Sequence, residues 1–388
     1  LFLGLNMHNL MTVADAAKSL DVSVDTIRRW EKKGLIKAAR NSNNCRVFDI
    51  SELHRAREKY VNGSDETHAY TILKSEYLSN YRNVELFAGG GGLALGFENA
   101  GIHHDLLVEI DKHAAATLIK NRPDWNVVCA DARTVSYSGI ETDIVSGGFP
   151  CQAFSFAGLK AGFEDARGTL LFEMARCIKE INPKIVVGEN VRGLLNHDNG
   201  KTLKAMLSIL DDLGYKVAYK VLRAQYLDVP QKRERLVIVA VRKDLDIPIL
   251  YPKERDYTIS MRQALKDVPK SAGQQYPPRK KAIMDLVPAG GYWRDLPIDL
   301  QKEYMKASFY MGGGKTGMAR RLSWDEPSLT LTCAPAQKQT ERCHPEETRP
   351  LSVREYARIQ TFPDEWEFEG SMTAQYKQIG NAVPTNLG

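Results

Sequence analysis

The chain is 388 residues long, 43% hydrophobic and 26% charged, with a formal net charge of +5 at pH 7. That length suits two or three domains rather than one core, the composition excludes a disordered chain, and no apolar run approaches the roughly 20 residues a membrane helix needs. The charge permits a nucleic-acid partner without requiring one.

The leader LFLGLNMHNL is too short for a secretory signal and lacks a basic start and a cleavage pattern, so it is read as a tail. In MTVADAAKSLDVSVDTIRRWEKKGLI, residues 11–36, Val13, Ala16, Ala17 and Leu20 recur at helical spacing. A turn follows at Asp21–Ser23, and Val24, Ile27 and Trp30 mark a second helix, a helix-turn-helix pattern. Ser23 is expected to cap that helix and Gly34 to end it, with Asp25, Arg28 and Arg29 facing outward. ARNSNNCRVFDISEL reads as a small wing followed by another helix, and YVNGSDETHAY as a polar connector. From Asn83 onward the apolar runs NVELFAG, DLLVEID, TDIVSGG, KIVVGEN and RLVIVAV alternate with amphipathic helices, the signature of a parallel sheet covered by helices. Between about Lys243 and Thr348 the alternation gives way to Pro-, Gly-, Lys- and Tyr-rich sequence, expected to form a separate, irregular domain. The six cysteines, Cys45, Cys129, Cys151, Cys177, Cys333 and Cys343, follow no paired spacing, which suits a reducing cytoplasm without disulfides.

Chemistry concentrates at the predicted strand ends. ELFAGGGGLALGF, residues 85–97, is a strand, a glycine turn and a helix, where a ligand can approach the backbone and meet helix amides. Glu109, about 20 residues beyond the first glycine, stands where a carboxylate accepts ribose hydroxyls, and Asp131 ends a third strand within reach of an adenine amino group. A nucleoside cofactor fits all three; these residues leave open whether it is a dinucleotide or S-adenosylmethionine. Cys151 in GGFPCQAFSFAG follows another strand, in the loop where ligands of parallel sheets bind. A lone cysteine is more often a small core residue. Here, however, Glu189 in KIVVGENVRGL ends a further strand, and Gln231, Arg233 and Arg235 in QKRERLVIVAV begin one. Thiol, acid and guanidinium thus share one sheet edge.

These motifs, together with HPEETRPLSVREYARIQTFPD and QIGNAVP, follow in the order and rough spacing of the DNA (cytosine-5) methyltransferase family, which the chain resembles from about residue 83 to its end. The resemblance implies an α/β fold: a Rossmann-like S-adenosylmethionine-dependent methyltransferase domain with a smaller irregular target-recognition domain. It implies double-stranded DNA as substrate, S-adenosylmethionine as methyl donor, and a restriction endonuclease as functional partner in a prokaryotic cytoplasm. Cys151 would add to C6 of a flipped-out cytosine, Glu189 would hold N3 and the exocyclic amino group, Arg235 would contact O2, and Arg233 would support the same loop. For the cofactor, Phe87 would pack on adenine, Gly89 and Gly91 would line the methionine portion, and Glu109 and Asp131 would take ribose and adenine amino group. Pro150 and Leu170 would be apolar walls, and Asn381, Ala382 and Val383 would close the methionine end. The chain ends at Gly388 as the final family helix would begin, implying reduced stability or cofactor affinity.

Residues 11–62 resemble a MerR-like winged helix-turn-helix, expected to be all-α, with Arg28, Arg29 and Lys32 placed to contact DNA. Promoter binding is its expected use; a helical interaction domain with a solvated basic face is the plainer one. The domain sequence is then 11–62, a linker at 63–82, a catalytic part at 83–245, target recognition at 246–335 and a C-terminal return to the catalytic domain at 336–388. No metal is expected, because Cys333, Cys343 and His344 are irregularly spaced and lack a fourth ligand. GGGKTG, residues 312–317, lacks the phosphate-loop order. Two other functions fit the same residues: a DNA-binding transcription regulator on a methyltransferase scaffold, and an RNA cytosine-5 methyltransferase.

Overall fold

The structure, a computed structural model, describes residues 10–32, 34–41, 43–61, 68–148 and 170–388. Pro150 and Cys151 lie outside the described residues. The chain divides into two compact units, Leu1–Ala69 with Ile259–Glu355, and Tyr70–Thr258 with Tyr356–Gly388.

The first unit opens with β1 (Leu10–Thr12) and α1 (Val13–Ser19), whose cap Thr12 accepts the Asp15 N–H through its hydroxyl at 3.3 Å. Ser23 starts α2 (Val24–Lys32) in the same way, its Oγ accepting the Thr26 N–H at 3.0 Å. β2 (Ala39–Arg40), β3 (Arg46–Asp49) and α3 (Ile50–Val61) complete this portion. The strands form an antiparallel sheet in the order β1-β3-β2, so the N-terminal region is not all-α. Strands of two to four residues are too short for an alternating pattern to register in the sequence. Ala16, Leu20, Ile27, Trp30, Ile36 and Phe48 form the local core, matching the helical periodicity of the two helices.

The second unit is built on β4 (Arg82–Leu86), α4 (Gly92–Asn99), β5 (His103–Glu109), α5 (Lys112–Asn121), β6 (Val127–Cys129) and β7 (Ile144–Gly148). It continues through α6 (Leu170–Ile181), β8 (Ile185–Val191), α7 (Lys201–Asp212), β9 (Tyr215–Arg223), β10 (Gln231–Lys232) and β11 (Glu234–Arg242). Among the described residues a seven-stranded sheet runs β6-β5-β4-β7-β8-β11-β9, with β11 antiparallel to both neighbours and the other pairings parallel. Its strands read as continuous apolar runs because helices cover both faces: Leu106, Leu107 and Val108 are all buried. Every parallel strand therefore delivers its carboxyl end to the same edge.

In the remainder of the first unit, α8 (Met261–Ala264), α9 (Pro278–Met284), α10 (Ile298–Met305) and β12 (Ser328–Leu329) are short pieces in long irregular chain. Trp293, Tyr304, Met305, Met284 and Cys343 form its core. α11 (Val353–Ile359) leads back into the sheet unit, where α12 (Met372–Asn381) precedes the last residues. Among the described residues no helix is long and apolar enough to cross a membrane, and no group of three or more His, Cys, Asp and Glu could hold a metal ion.

Candidate active site

Three strand ends converge on the glycine turn between β4 and α4. Phe87 has φ +59°, a left-handed conformation that a non-glycine residue adopts only when its surroundings enforce it, and packs its half-buried ring on the sheet core. Gly89 also has positive φ, +55°, and among the described residues no atom lies within 4 Å of where a Cβ would stand. Gly91 is the N-cap of α4. Trp366 holds the turn from the other side, its Nε1 donating to the Gly90 carbonyl at 3.2 Å.

Glu109, buried at the end of β5, joins the turn to the next strand end. Its Oε2 accepts the Gly89 N–H and its Oε1 the Asp111 N–H, both at 2.7 Å. Asp131 follows β6 and accepts the Arg133 guanidinium at 3.0 Å, and that hydrogen bond holds its carboxyl down at about 2. Leu170 begins α6, half-buried. Asn381 is exposed at the end of α12, whereas Ala382 and Val383 are buried, and the Val383 carbonyl is so close to Gly92 that any side chain there would collide with it. The expected cofactor residues within the described chain thus lie along the turn, the β5 and β6 ends, the start of α6 and the C-terminal segment.

The second cluster sits further along the same edge. Glu189 on β8 pairs in register with Gly148 on β7 and Val237 on β11. Its Oε1 meets Arg235 Nε at 2.7 Å, with side-chain exposures of only 13% and 12%, which places the ion pair largely out of water. Burial pushes the Glu189 carboxyl above the usual carboxylate range, with Arg235 and Arg233 pulling the other way. Its Oε2 lies over Gly148, 3.1 Å from where a Cβ would be. The chain leaves the described residues right after Gly148, three residues before Cys151.

Arg233 has a different surrounding. It is 2% exposed and donates to the carbonyls of Gly380 and Ala382 at 3.3 and 3.0 Å, so it holds the C-terminal segment in place. Gln231 and Gln360 continue that support: Gln231 donates to Gln360 at 2.7 Å, and Gln360 donates to the Ile379 carbonyl at 2.7 Å. In the N-terminal region Arg28 is exposed and paired with Asp25 at 3.2 Å, Lys32 is exposed, and Arg29 is ion-paired with Glu326 at 2.7 Å. His344 Nδ1 accepts the Glu346 and Glu347 N–H groups, and Lys315 donates to the Ser308 and Met311 carbonyls at 2.7 and 2.6 Å, which gives both residues structural roles.

The model of C-5 cytosine-specific DNA methylases matches residues 81–388. The chain belongs to that family. The Type II methyltransferase M.Eco47II of Escherichia coli is 57% identical over 97% of this chain and 93% of its own length. M.PspPI, a Type II methyltransferase of a Psychrobacter strain, is 52% identical over 98% of this chain and 94% of its own. A solved DNA modification methyltransferase of an E. coli prophage superposes with a TM-score of 0.58 at 23% identity, covering 79% of this chain and 96% of that one, a likeness of fold. The MerR family regulatory protein model matches residues 12–48. This methylase therefore acts on cytosine C5 of DNA, as a restriction-modification enzyme.

Trp366 lies outside the quoted motifs and braces the site from a distance in sequence, whereas Gln231 and Gln360 lie inside them and only their mutual hydrogen bond reveals their role. Glu85 carries a visible signal, an acid inside the apolar run NVELF. It is 1% exposed beside Ser146, and burial, reinforced by the charge of Glu109, pushes its carboxyl up to about 8.

Proposed function

We propose that this methylase modifies a flipped-out cytosine in a specific duplex sequence by transient addition of Cys151, with Glu189 and Arg235 holding the base. Cytosine C5 is a poor nucleophile until a group adds at C6. The Cys151 thiolate would form the C6–S bond and move the ring electrons to C5. Glu189 would keep N3 protonated and accept the exocyclic amino group, stabilising that electron shift, while Arg235 would donate to O2. After C5 takes the methyl group it loses its proton, the C5–H electrons restore the C5–C6 double bond, and the C6–S electrons leave with sulfur as the Cys151 thiolate. The observation that carries this reading is the nearly buried Glu189–Arg235 pair against Gly148. The three residues from Gly148 to Cys151 span at most about 11 Å. Arg233 supports the reaction indirectly, by fixing the carbonyls of Gly380 and Ala382.

S-Adenosylmethionine would lie on the open side of Gly89 and supply an electrophilic methyl group. Phe87 would face its adenine, the Glu109 carboxylate its ribose and Asp131 its amino group; Gly91, Pro150 and Leu170 would border it, and Asn381, Ala382 and Val383 would close the far end. The fit rests on the space over Gly89, empty among the described residues, and the buried carboxylate of Glu109 beside it. The product DNA would be protected from a cognate endonuclease of the same sequence specificity. Bisulfite sequencing of DNA from cells expressing the protein should reveal methylated cytosines in one sequence context. Glu189→Gln should retain S-adenosylmethionine binding and slow methylation by roughly 10² or more, the scale of a positioned acid. An unchanged rate would remove Glu189 from the mechanism.

A further inference from the structure

The outward face of a helix-turn-helix second helix ordinarily enters a DNA groove. In this chain one flank of that helix and the turn before it are covered by residues from the far end of the same compact unit, while Arg28 and Lys32 stay exposed. Thr26 and Ser23 are 0% and 1% exposed, and the Gly290 backbone lies against them, with a Cβ there standing 3.1 Å from Thr26 Oγ1. Val22 forms a parallel bridge with Ala289. Arg29 Nε meets Glu326 at 2.7 Å with both side chains less than one-fifth exposed. The half-buried Arg320 lies within the field of Arg29 and Asp25 on α2 and of Glu326 and Asp295 from the other segment.

We propose that the helix-turn-helix is a built-in half of the target-recognition unit, in which α2 buttresses residues 287–326, and that it acts in recognition of the methylated duplex rather than as an independent promoter reader. An independent reading head would leave Ser23, Thr26 and Arg29 to solvent; here all three are covered or paired by residues 289–326 of the same unit. Two relatives align over 97% and 98% of this chain and so share most of the N-terminal region, which lies outside the methylase match beginning at residue 81. Exposed Arg28 and Lys32 remain available to duplex DNA, on a body whose orientation is set by the recognition segment.

The inference rests on DNA methylation as the activity, and its test separates the two. In the full-length protein, Arg29→Glu should weaken binding to the cognate duplex at least about tenfold and leave S-adenosylmethionine binding unchanged. Adding Glu326→Arg should restore duplex affinity to within about threefold, because the pair is rebuilt with reversed charges. Wild-type duplex affinity in Arg29→Glu would overturn the proposal. Amide exchange on the wild-type protein decides the docking without any variant: α2 and residues 287–296 should open with the same protection. Exchange of α2 faster than that segment by several orders of magnitude would mean an independent domain. If the wild-type protein failed to methylate DNA, the activity would fall while the exchange result still decided the docking.

Discussion

The two compact units solve the same problem, satisfying buried backbone groups, in different ways. In the sheet unit neighbouring strands pair through regular ladders, such as β8 with β7 and β11, so the polar side chains at the strand ends are left for chemistry. The first unit has long irregular chain, and buried arginines take over the pairing. Arg321, 4% exposed, donates to the carbonyls of Val287, Met284, His344 and Glu346 and to the Thr348 hydroxyl, and Arg342 serves the Thr330 and Glu341 carbonyls. Glu109 and the Glu189–Arg235 pair in the sheet unit thus belong to the site, whereas Arg321 and Arg342 in the first unit tie its loops together. Arg233 marks the crossover, because it serves irregular C-terminal chain inside the sheet unit.

The sharpest break of this contrast is Arg321→Met. Losing five hydrogen bonds inside the first unit should lower its stability by at least about 4 kcal/mol, since four carbonyls left buried without donors each cost about 1–3 kcal/mol. Denaturant unfolding should register that loss while S-adenosylmethionine affinity, which reads the sheet unit, stays at the wild-type value. A matched loss of cofactor affinity would show that the arginine supports both units alike.

A smaller effect should come from Glu85→Gln in the sheet unit. Glu85 titrates at about 8 in the folded chain against 4.5 ordinarily, so the folded state keeps a proton that the unfolded state releases between those values. The contribution of this group to stability is therefore present at low pH and lost as pH rises from about 4.5 to about 8. The glutamine variant should show a flatter profile, gaining a few kcal/mol relative to wild type at pH 8 compared with pH 4.5. Denaturant midpoints at the two pH values measure this directly. Parallel profiles would mean that Glu85 is ionised in the folded state.

The same contrast explains how much could be read before the structure. The sheet and its polar strand ends, Glu109 at one and the Glu189–Arg235 pair at another, follow from apolar runs that stop at polar residues, a local pattern, but the antiparallel direction of the RLVIVAV strand does not. The helices of the N-terminal region are equally visible and the wing holds β2 and β3, but the strand Leu10–Thr12 leaves no pattern in the sequence. The braces were illegible for a physical reason. Trp366 on the Gly90 carbonyl, Gln360 on Gln231 and Glu326 on Arg29 are pairs separated by more than a hundred residues, and no periodicity connects them. Arg29 in particular looks the same in sequence whether it faces DNA or a carboxylate of its own chain.

The central chemical claim is that the thiol three residues beyond Gly148 attacks the base held by Glu189 and Arg235. A duplex carrying 5-fluorocytosine at the target, incubated with the protein and S-adenosylmethionine, tests it most directly, because fluorine cannot leave C5 as a cation and the adduct persists. Mass spectrometry of the digested complex should find methylated fluorocytosine bound to the peptide containing Cys151, and Cys151→Ser should yield no adduct. An adduct on another cysteine, or an undiminished adduct in the serine variant, would contradict the account.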